Sequence, residues 1–280
     1  MASSSPTVSS PSSTSSKAPP SHQSLTTVIS QPEKAHSIDV LPTPVAQTYS
    51  HIHPTILLAL YSLRFSSLVS DPVSTLWSDL PLYTALQTAY VVICLPQAGS
   101  SHQHHSHGET GSSEVADAKK TPSSSGKRKR HAAGNKSDTL SQKLTAAFIA
   151  LTLTFLLGTP VLSLLLILFG APFTTHTAHT VLCAAHMALL TVTPLVYVHG
   201  VDSNVWKQVW AFARPADAVW GGALGACVGA WLGAVPIPLD WDRPWQAYPI
   251  TILTGAYIGF AAGQLIGRSP LLYGKRVEFD

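Results

Sequence analysis

Gly221 to Gly267 reads GGALGACVGAWLGAVPIPLDWDRPWQAYPITILTGAYIGFAAGQLIG. Gly221, Gly225, Gly229 and Gly233 recur every four residues. Gly255, Gly259, Gly263 and Gly267 do the same beyond a polar knot. Four residues turn an α-helix by about 400°, so each series drifts by only about 40° per step and stays on one stripe. In a water-soluble helix each of these glycines would cost roughly 1 kcal/mol against alanine. In lipid the same stripe lets two backbones approach closely, the small-xxx-small mode of packing. The stretch reads as two membrane helices, near 216–235 and 249–267, joined by a short structured loop. The stripes serve either one another or the helices of a neighbour; the residues leave both open.

Composition extends that reading to the whole chain. Apolar residues make up 45% and charged residues 11%, against about 25% charged in an ordinary soluble domain. Four further apolar spans lie near 54–70, 80–96, 144–169 and 174–198, each long enough or nearly so for a bilayer core of about 30 Å. The expected fold is all-α: a polytopic membrane bundle of about six transmembrane helices over 51–280, ending in the glycine-striped hairpin. Pro81 is expected in the first turn of the second span, where a missing N–H does little harm. Gly158-Thr159-Pro160 is expected to bend the third.

Two stretches fall outside the pattern. Residues 1–50 are rich in Ser, Pro and Thr and lack the apolar core of a signal peptide, so a disordered arm is expected. Residues 97–142 carry His102, His104, His105 and His107, then Lys127-Arg128-Lys129-Arg130, and read as a disordered insertion. Cys94, Cys183 and Cys227 are scattered through apolar segments and form no disulfide or zinc pattern.

The basic residues orient the chain. With six spans, all of the 17 Lys and Arg except Arg64 and Arg243 fall in segments on one side of the membrane. The positive-inside rule makes that side the cytosol. Both termini, the 97–142 insertion and the 200–214 connection are then cytosolic. The short loops near 71–79, 170–174 and 236–248 face the lumen.

The candidate site is the lumenal knot. Three prolines stiffen it, Trp241 and Trp245 suit a headgroup layer, and Asp240, Asp242 and Arg243 have the charges for a hydrogen-bonded cluster. With Pro244 and Gln246 these residues form either a staple between two helices or a surface for a partner or lipid headgroup. A catalytic carboxylate pair lacks an accompanying nucleophile or metal set. Arg64 is an intramembrane charge and a functional candidate by default; a buried pair with Asp71, two turns on, snorkelling to the lumenal headgroups and a phosphate or partner contact are all open to it. His176 and His179 share a helix face, but two ligands are too few for a metal; His186 lies deeper and suits interhelical hydrogen bonding. Lys207 to Arg214-Pro215 fits the first motif of a lipid-phosphatase superfamily, but the Ser-Gly-His word that such enzymes need is missing. Asn135-Lys136-Ser137 spells a glycosylation sequon, expected to stay unmodified on the cytosolic side. No cofactor-binding motif is legible.

The words GAWLGAVPIPLDWDRPWQAYPI and GAYIGFAAGQLIG resemble the Pig-F family of GPI-anchor biosynthesis over roughly residues 205–268, the DWDRPWQ word between two glycine-striped helices being specific. The first four spans agree in number and placement, and the N-arm and long loop look like fungal-style insertions. The resemblance implies a non-catalytic endoplasmic-reticulum membrane subunit. Its partners would be the large GPI ethanolamine-phosphate transferases, which add ethanolamine phosphate to GPI mannose in the lumen. Membrane lipids are implied as surroundings and nucleic acid is not a partner. A carrier or scramblase for a lipid or its headgroup is the alternative that Arg64 and the intramembrane histidines motivate.

Overall fold

The computed structural model describes residues 37–99, 128–239, 241–270 and 272–276. The N-terminal arm as far as residue 36, the histidine tract at 102–107 and Asp240 lie outside them. Among the described residues all regular structure is helical.

Helix α1, Pro44–Ser70, begins well ahead of its apolar span. Thr43 caps it by accepting the Ala46 N–H at 3.3 Å. Asp71 is the single residue between α1 and α2, Pro72–Cys94. Its carboxylate caps α2 through the Ser74 N–H at 3.2 Å, as expected of an acidic residue at a helix start. Residues 72–79, expected as loop, are therefore the opening turns of α2, and Pro81 lies inside that helix rather than in its first turn. The physical reason is a polar stripe. Thr75, Asp79, Tyr83 and Gln87 recur every four residues and all are buried. Polarity that resembles a loop in sequence is the inward face of a helix.

Helix α3, Arg128–Leu153, opens within the stretch expected as insertion. It passes through a π-turn, Thr154–Gly158, into α4, Thr159–Leu168. Pro160 lacks an N–H and its ring crowds the preceding turn; the wider turn absorbs both defects. Helix α5, Thr177–His199, is the centre of the bundle: 83% of its most apolar stretch is buried, against 28% for Pro44–Ser70 and for Ala218–Leu239. A short amphipathic helix, α6 (Ser203–Trp210), leads to α7 (Ala218–Ala234) and α8 (Ile250–Arg268).

Among the described residues five helices are long and apolar enough to cross a membrane: Pro44–Ser70, Thr139–Leu168, Thr177–His199, Ala218–Leu239 and Ile250–Arg268. The second expected span is not among them, because the inward stripe dilutes the apolarity of α2. It still runs antiparallel to α1 along its length, from the Arg64–Asp79 contact to the Cys94 thiol beside the Ala46 carbonyl. Exposed side chains ring the bundle, among them Leu63, Phe148, Leu156, Leu168 and Trp231. In water such a belt would drive association; against lipid it is the natural exterior. The chain is a multi-pass membrane protein.

One end of the bundle is sewn together by backbone. Leu41 N–H donates to the Cys94 carbonyl at 2.9 Å, Ala98 N–H to Tyr197 at 2.9 Å and Ala216 N–H to Lys275 at 2.8 Å. Asp217 accepts the N–H groups of Val219 and Trp220 at the start of α7, and that of Ile38 at 3.0 Å. The first and last described segments thus meet at the same end.

Helices α7 and α8 pack stripe against stripe. A Cβ on Gly229 would fall onto the Gly255 carbonyl oxygen. Gly225 stands in the same relation to Gly259, Gly221 to Gly263, Gly233 to Thr251 and Gly267 to Asp217. Gly222 is off the seam, where a Cβ would meet the Gln264 side chain at 2.9 Å. Gly229→Ala therefore pushes two backbones apart, at a cost of about 1–3 kcal/mol or more, whereas Gly222→Ala needs only a side-chain shift. In thermal melts of detergent-purified protein, Gly229→Ala and Gly259→Ala should fall well below Gly222→Ala, and Gly229→Leu should not assemble. Equal midpoints for Gly229→Ala and Gly222→Ala would contradict backbone-level packing.

Candidate functional site

The segment between α7 and α8 is compact because its buried centre is an amide. Gln246 is 7% exposed. Its Nε2 donates to the Pro236 carbonyl, and its Oε1 accepts the Trp241 N–H at 3.0 Å. One side chain thus braces both limbs of the loop, between the short turns Ile237–Leu239 and Pro244–Gln246. Tyr248 fastens the loop to the bundle by donating from its hydroxyl to Thr180 Oγ1 at 2.9 Å. Thr180 in turn donates to the Pro172 carbonyl at 2.9 Å. Burial pushes the Tyr248 hydroxyl up to about 12, so it remains a donor throughout the neutral range.

Trp241, Asp242, Arg243, Pro244 and Trp245 are all exposed on this frame. The two indole rings lie 5.9 Å apart, and Asp242 has φ +50°, a conformation that Asp tolerates better than most residues. Among the described residues no ion pair joins Asp242 to Arg243, and Asp240 lies outside them. Among the described residues an amide holds the loop, and the Arg243 side chain is exposed. From Pro236 and Trp245 an open groove of about 590 Å³ follows the outer flank of the hairpin, past Leu232, Val228, Ile258 and Ile266. Its walls are mainly apolar side chains and glycine backbone, with Thr251 and Thr254 among them.

Arg64 pairs with Asp79, not with Asp71. Its Nε donates to Asp79 Oδ1 at 3.0 Å and to Oδ2 at 3.3 Å, and its Nη2 to Ser78 Oγ at 3.3 Å. The hairpin geometry explains the exchange. Asp71 is the turn, so residues nearly equidistant from it along the chain, 64 and 79, stand at the same height. Asp71 itself is occupied as the cap of α2. Sequence reasoning passed over Asp79 because it fell in an expected loop; counting outward from the turn would have found it. His186 lies in the core, its Nδ1 2.8 Å from the Tyr257 hydroxyl and its Nε2 3.1 Å from the Leu76 carbonyl. The carbonyl requires a proton on Nε2, so Tyr257 donates to Nδ1. His176 and His179, with rings 5.0 Å apart, stand near the N-terminus of α5.

Residues 52–268 match the GPI biosynthesis protein family Pig-F. The chain belongs to that family. The Pig-F match takes in the Arg64–Asp79 pair, the glycine hairpin and the whole braced loop. The chain is 55% identical over 267 residues to glycosylphosphatidylinositol anchor biosynthesis protein 11 of Aspergillus fumigatus, covering 88% of this chain and 86% of that protein. It is 45% identical to the protein of the same name from Neurospora crassa, over 85% of this chain and 80% of the other. A human protein named GPI ethanolamine phosphate transferase, stabilizing subunit, is 35% identical over 150 residues, 51% of this chain and 67% of the human one. No solved structure matches this Pig-F chain.

The two partners of the intramembrane pair differ in exposure, 45% for the Arg64 side chain and 12% for Asp79. Losing Arg64 strands a nearly buried carboxylate, whereas losing Asp79 frees a long side chain that can reach the headgroups. Arg64→Gln should therefore destabilise more than Asp79→Asn. The expected loss is about 1–3 kcal/mol, below the figure for a fully buried pair because one partner is half-exposed. Thermal melts of both variants and of the double mutant check this; a larger loss for Asp79→Asn would reverse the assignment.

Proposed function

We propose that this protein is a non-catalytic membrane subunit that stabilises GPI ethanolamine-phosphate transferases as they add ethanolamine phosphate to GPI mannose. It works in the endoplasmic reticulum with both termini in the cytosol. Asp240 to Gln246, the DWDRPWQ word, form its lumenal docking loop, and catalysis belongs to the transferase. The observation that carries this reading is the braced loop: a buried amide fixes its backbone while two indoles and one guanidinium stay exposed. Trp and Arg are the residues that dominate protein interfaces. The names of the human and mouse relatives, GPI ethanolamine phosphate transferase, stabilizing subunit, supply the partner. The orientation draws on charge: Lys143, Lys207, Arg214, Arg268 and Lys275 lie toward the end where the described termini meet, and Arg64 and Arg243 toward the other, the asymmetry that the positive-inside rule reads.

The carrier or scramblase reading is less well supported. A path for a headgroup needs polar groups along an open surface. Here the groove open to the bilayer is mainly apolar, and the polar stripe of α2 is buried.

Tagged protein recovered from detergent extracts should bring down a large transferase, and depletion should leave GPI precursors lacking ethanolamine phosphate. Normal maturation of precursors would rule the reading out. Arg243→Ala and Trp241→Ala should lower transferase recovery by about tenfold, the scale of one good interface residue, with little change in abundance. Loss of abundance without loss of binding per molecule would make the loop a staple only.

A further inference from the structure

Arg268, the last residue of α8, is a second cation in the bundle, and its charge is not matched as that of Arg64 is. Its Nη1 donates to Ser50 Oγ at 3.1 Å and lies 3.5 Å from His51 Nδ1. Its Nε and Nη2 are buried without a hydrogen-bond partner. Among the described residues the only ion pair is Arg64–Asp79. Asp217, an acidic group that acts on Tyr90, already accepts three backbone N–H groups. A guanidinium cannot shed its proton, and a charge half-withdrawn from water needs a counter-charge.

The side chains around it share the same want. His53 and Tyr90 are each 0% exposed and stack with ring centroids 4.3 Å apart. Both nitrogens of His53 are without partners, and the Tyr90 hydroxyl stands beside the Arg268 guanidinium. Also without partners are both amide atoms of Gln87, one turn from Tyr90 on α2, and Gln264 Oε1, one turn from Arg268 on α8. Buried polar atoms are nearly always satisfied, yet here several on three helices lack partners. The group is rich in donors and holds no carboxylate.

Depth decides the chemistry of the counter-charge. Helix α8 has 19 residues and is about 28 Å long, close to the thickness of the hydrocarbon core. Its last residue, Arg268, therefore stands at the headgroup edge, and Ser50 is tied to it at that level. His51 is exposed. With Nδ1 turned to the Arg268 donor, its proton sits on Nε2 and points away as a further donor. We propose that Arg268 and His51 hold the phosphate of a phospholipid headgroup at the mouth of the seam between α1 and α8, on the basic end of the bundle. A phosphodiester is available in every leaflet at this depth, and it offers oxygens to both donors at once.

The test uses the full-length protein in detergent micelles doped with phosphatidylglycerol, or with diacylglycerol of the same chains, and counts retained lipid by native mass spectrometry. Wild type should retain phosphatidylglycerol, and Arg268→Gln should hold it about tenfold more weakly, as expected for one charged hydrogen-bonding partner. Diacylglycerol should be held no better by wild type than by the variant. Should Arg268→Gln fail to fold, His51→Ala, a change at an exposed position, should by itself weaken retention severalfold. Unchanged retention in either folded variant overturns the site, as does equal retention of diacylglycerol. Displacement of the lipid by millimolar inorganic phosphate would make this a free-phosphate site and overturn the lipid assignment. Normal lipid retention with lost transferase recovery in Arg268→Gln would give the guanidinium to a partner's carboxylate instead, and that arm is read separately from the loop variants.

Discussion

The tightest constraint in this protein is the approach of α7 to α8. Where two helices normally stand one side chain apart, these meet with carbonyl oxygens in the places that Cβ atoms would take. Helix-interior glycine is costly because it leaves the unfolded chain so free. Inside a bilayer part of that cost disappears, since the backbone must satisfy its own hydrogen bonds whatever the residue. What the stripe contributes is contact: long rows of backbone atoms within van der Waals range, with Cα–H groups facing carbonyls, an arrangement that is weak per contact and repeated at every turn. Such a seam tolerates little sliding, because each glycine is keyed to one opposite carbonyl. The two ends of the connecting segment are thereby held at a fixed short span. A loop with that span must be tight, and Gln246 together with the prolines makes it so.

Burial of polar groups follows a different logic in each half of the bundle. Toward the Asp71 end every member of the α2 stripe but Tyr83 finds a match or a neighbour: Asp79 takes Arg64, and the core around it is closed by Tyr61 bonding the Ile250 carbonyl and by Tyr257 with His186. Toward the end of α8, Gln87 and His53 are without partners and a guanidinium stands beside Tyr90. In the first half Tyr83 Oη and Thr251 Oγ1 are still without partners, but the charge there is matched by a carboxylate. In the second the charge has no such match among the described residues.

Much of this was legible in the residues, and the parts that were not fail for identifiable reasons. The four-residue glycine period fixes which faces of 216–235 and 249–267 are bare, but not what they meet, because the same stripe suits a partner chain equally well. The polar knot is plain as a word; its bracing is not. Charges drew attention to Asp240, Asp242 and Arg243, while the neutral Gln246, which bonds both limbs, looked like one more surface residue. The opening turns of α2 were read as loop since a hydropathy window averages over all faces of a helix and cannot see a buried polar stripe. That averaging also hid Asp79, and with it the true partner of Arg64. Arg268 is hidden for the opposite reason: a basic residue at the end of a span is common, so nothing in the sequence marks it as short of a counter-charge.

A subunit built this way has its rigid and its responsive parts in separate places. The glycine seam and the amide-braced loop form a unit whose geometry is set by backbone contacts, which solvent, salt and small side-chain changes scarcely alter. Its exposed groups, Trp241, Arg243 and Trp245, are therefore presented at little entropic cost, the condition under which a few aromatic and guanidinium contacts bind well. The Arg268 end is the reverse: a charge with no carboxylate paired to it among the described residues, and buried polar groups short of partners. If the loop were floppy and the Arg268 cluster saturated, the protein would resemble an ordinary helical spacer. The division sets a braced, exposed loop at one end of the bundle apart from a cluster of buried polar groups short of partners at the other.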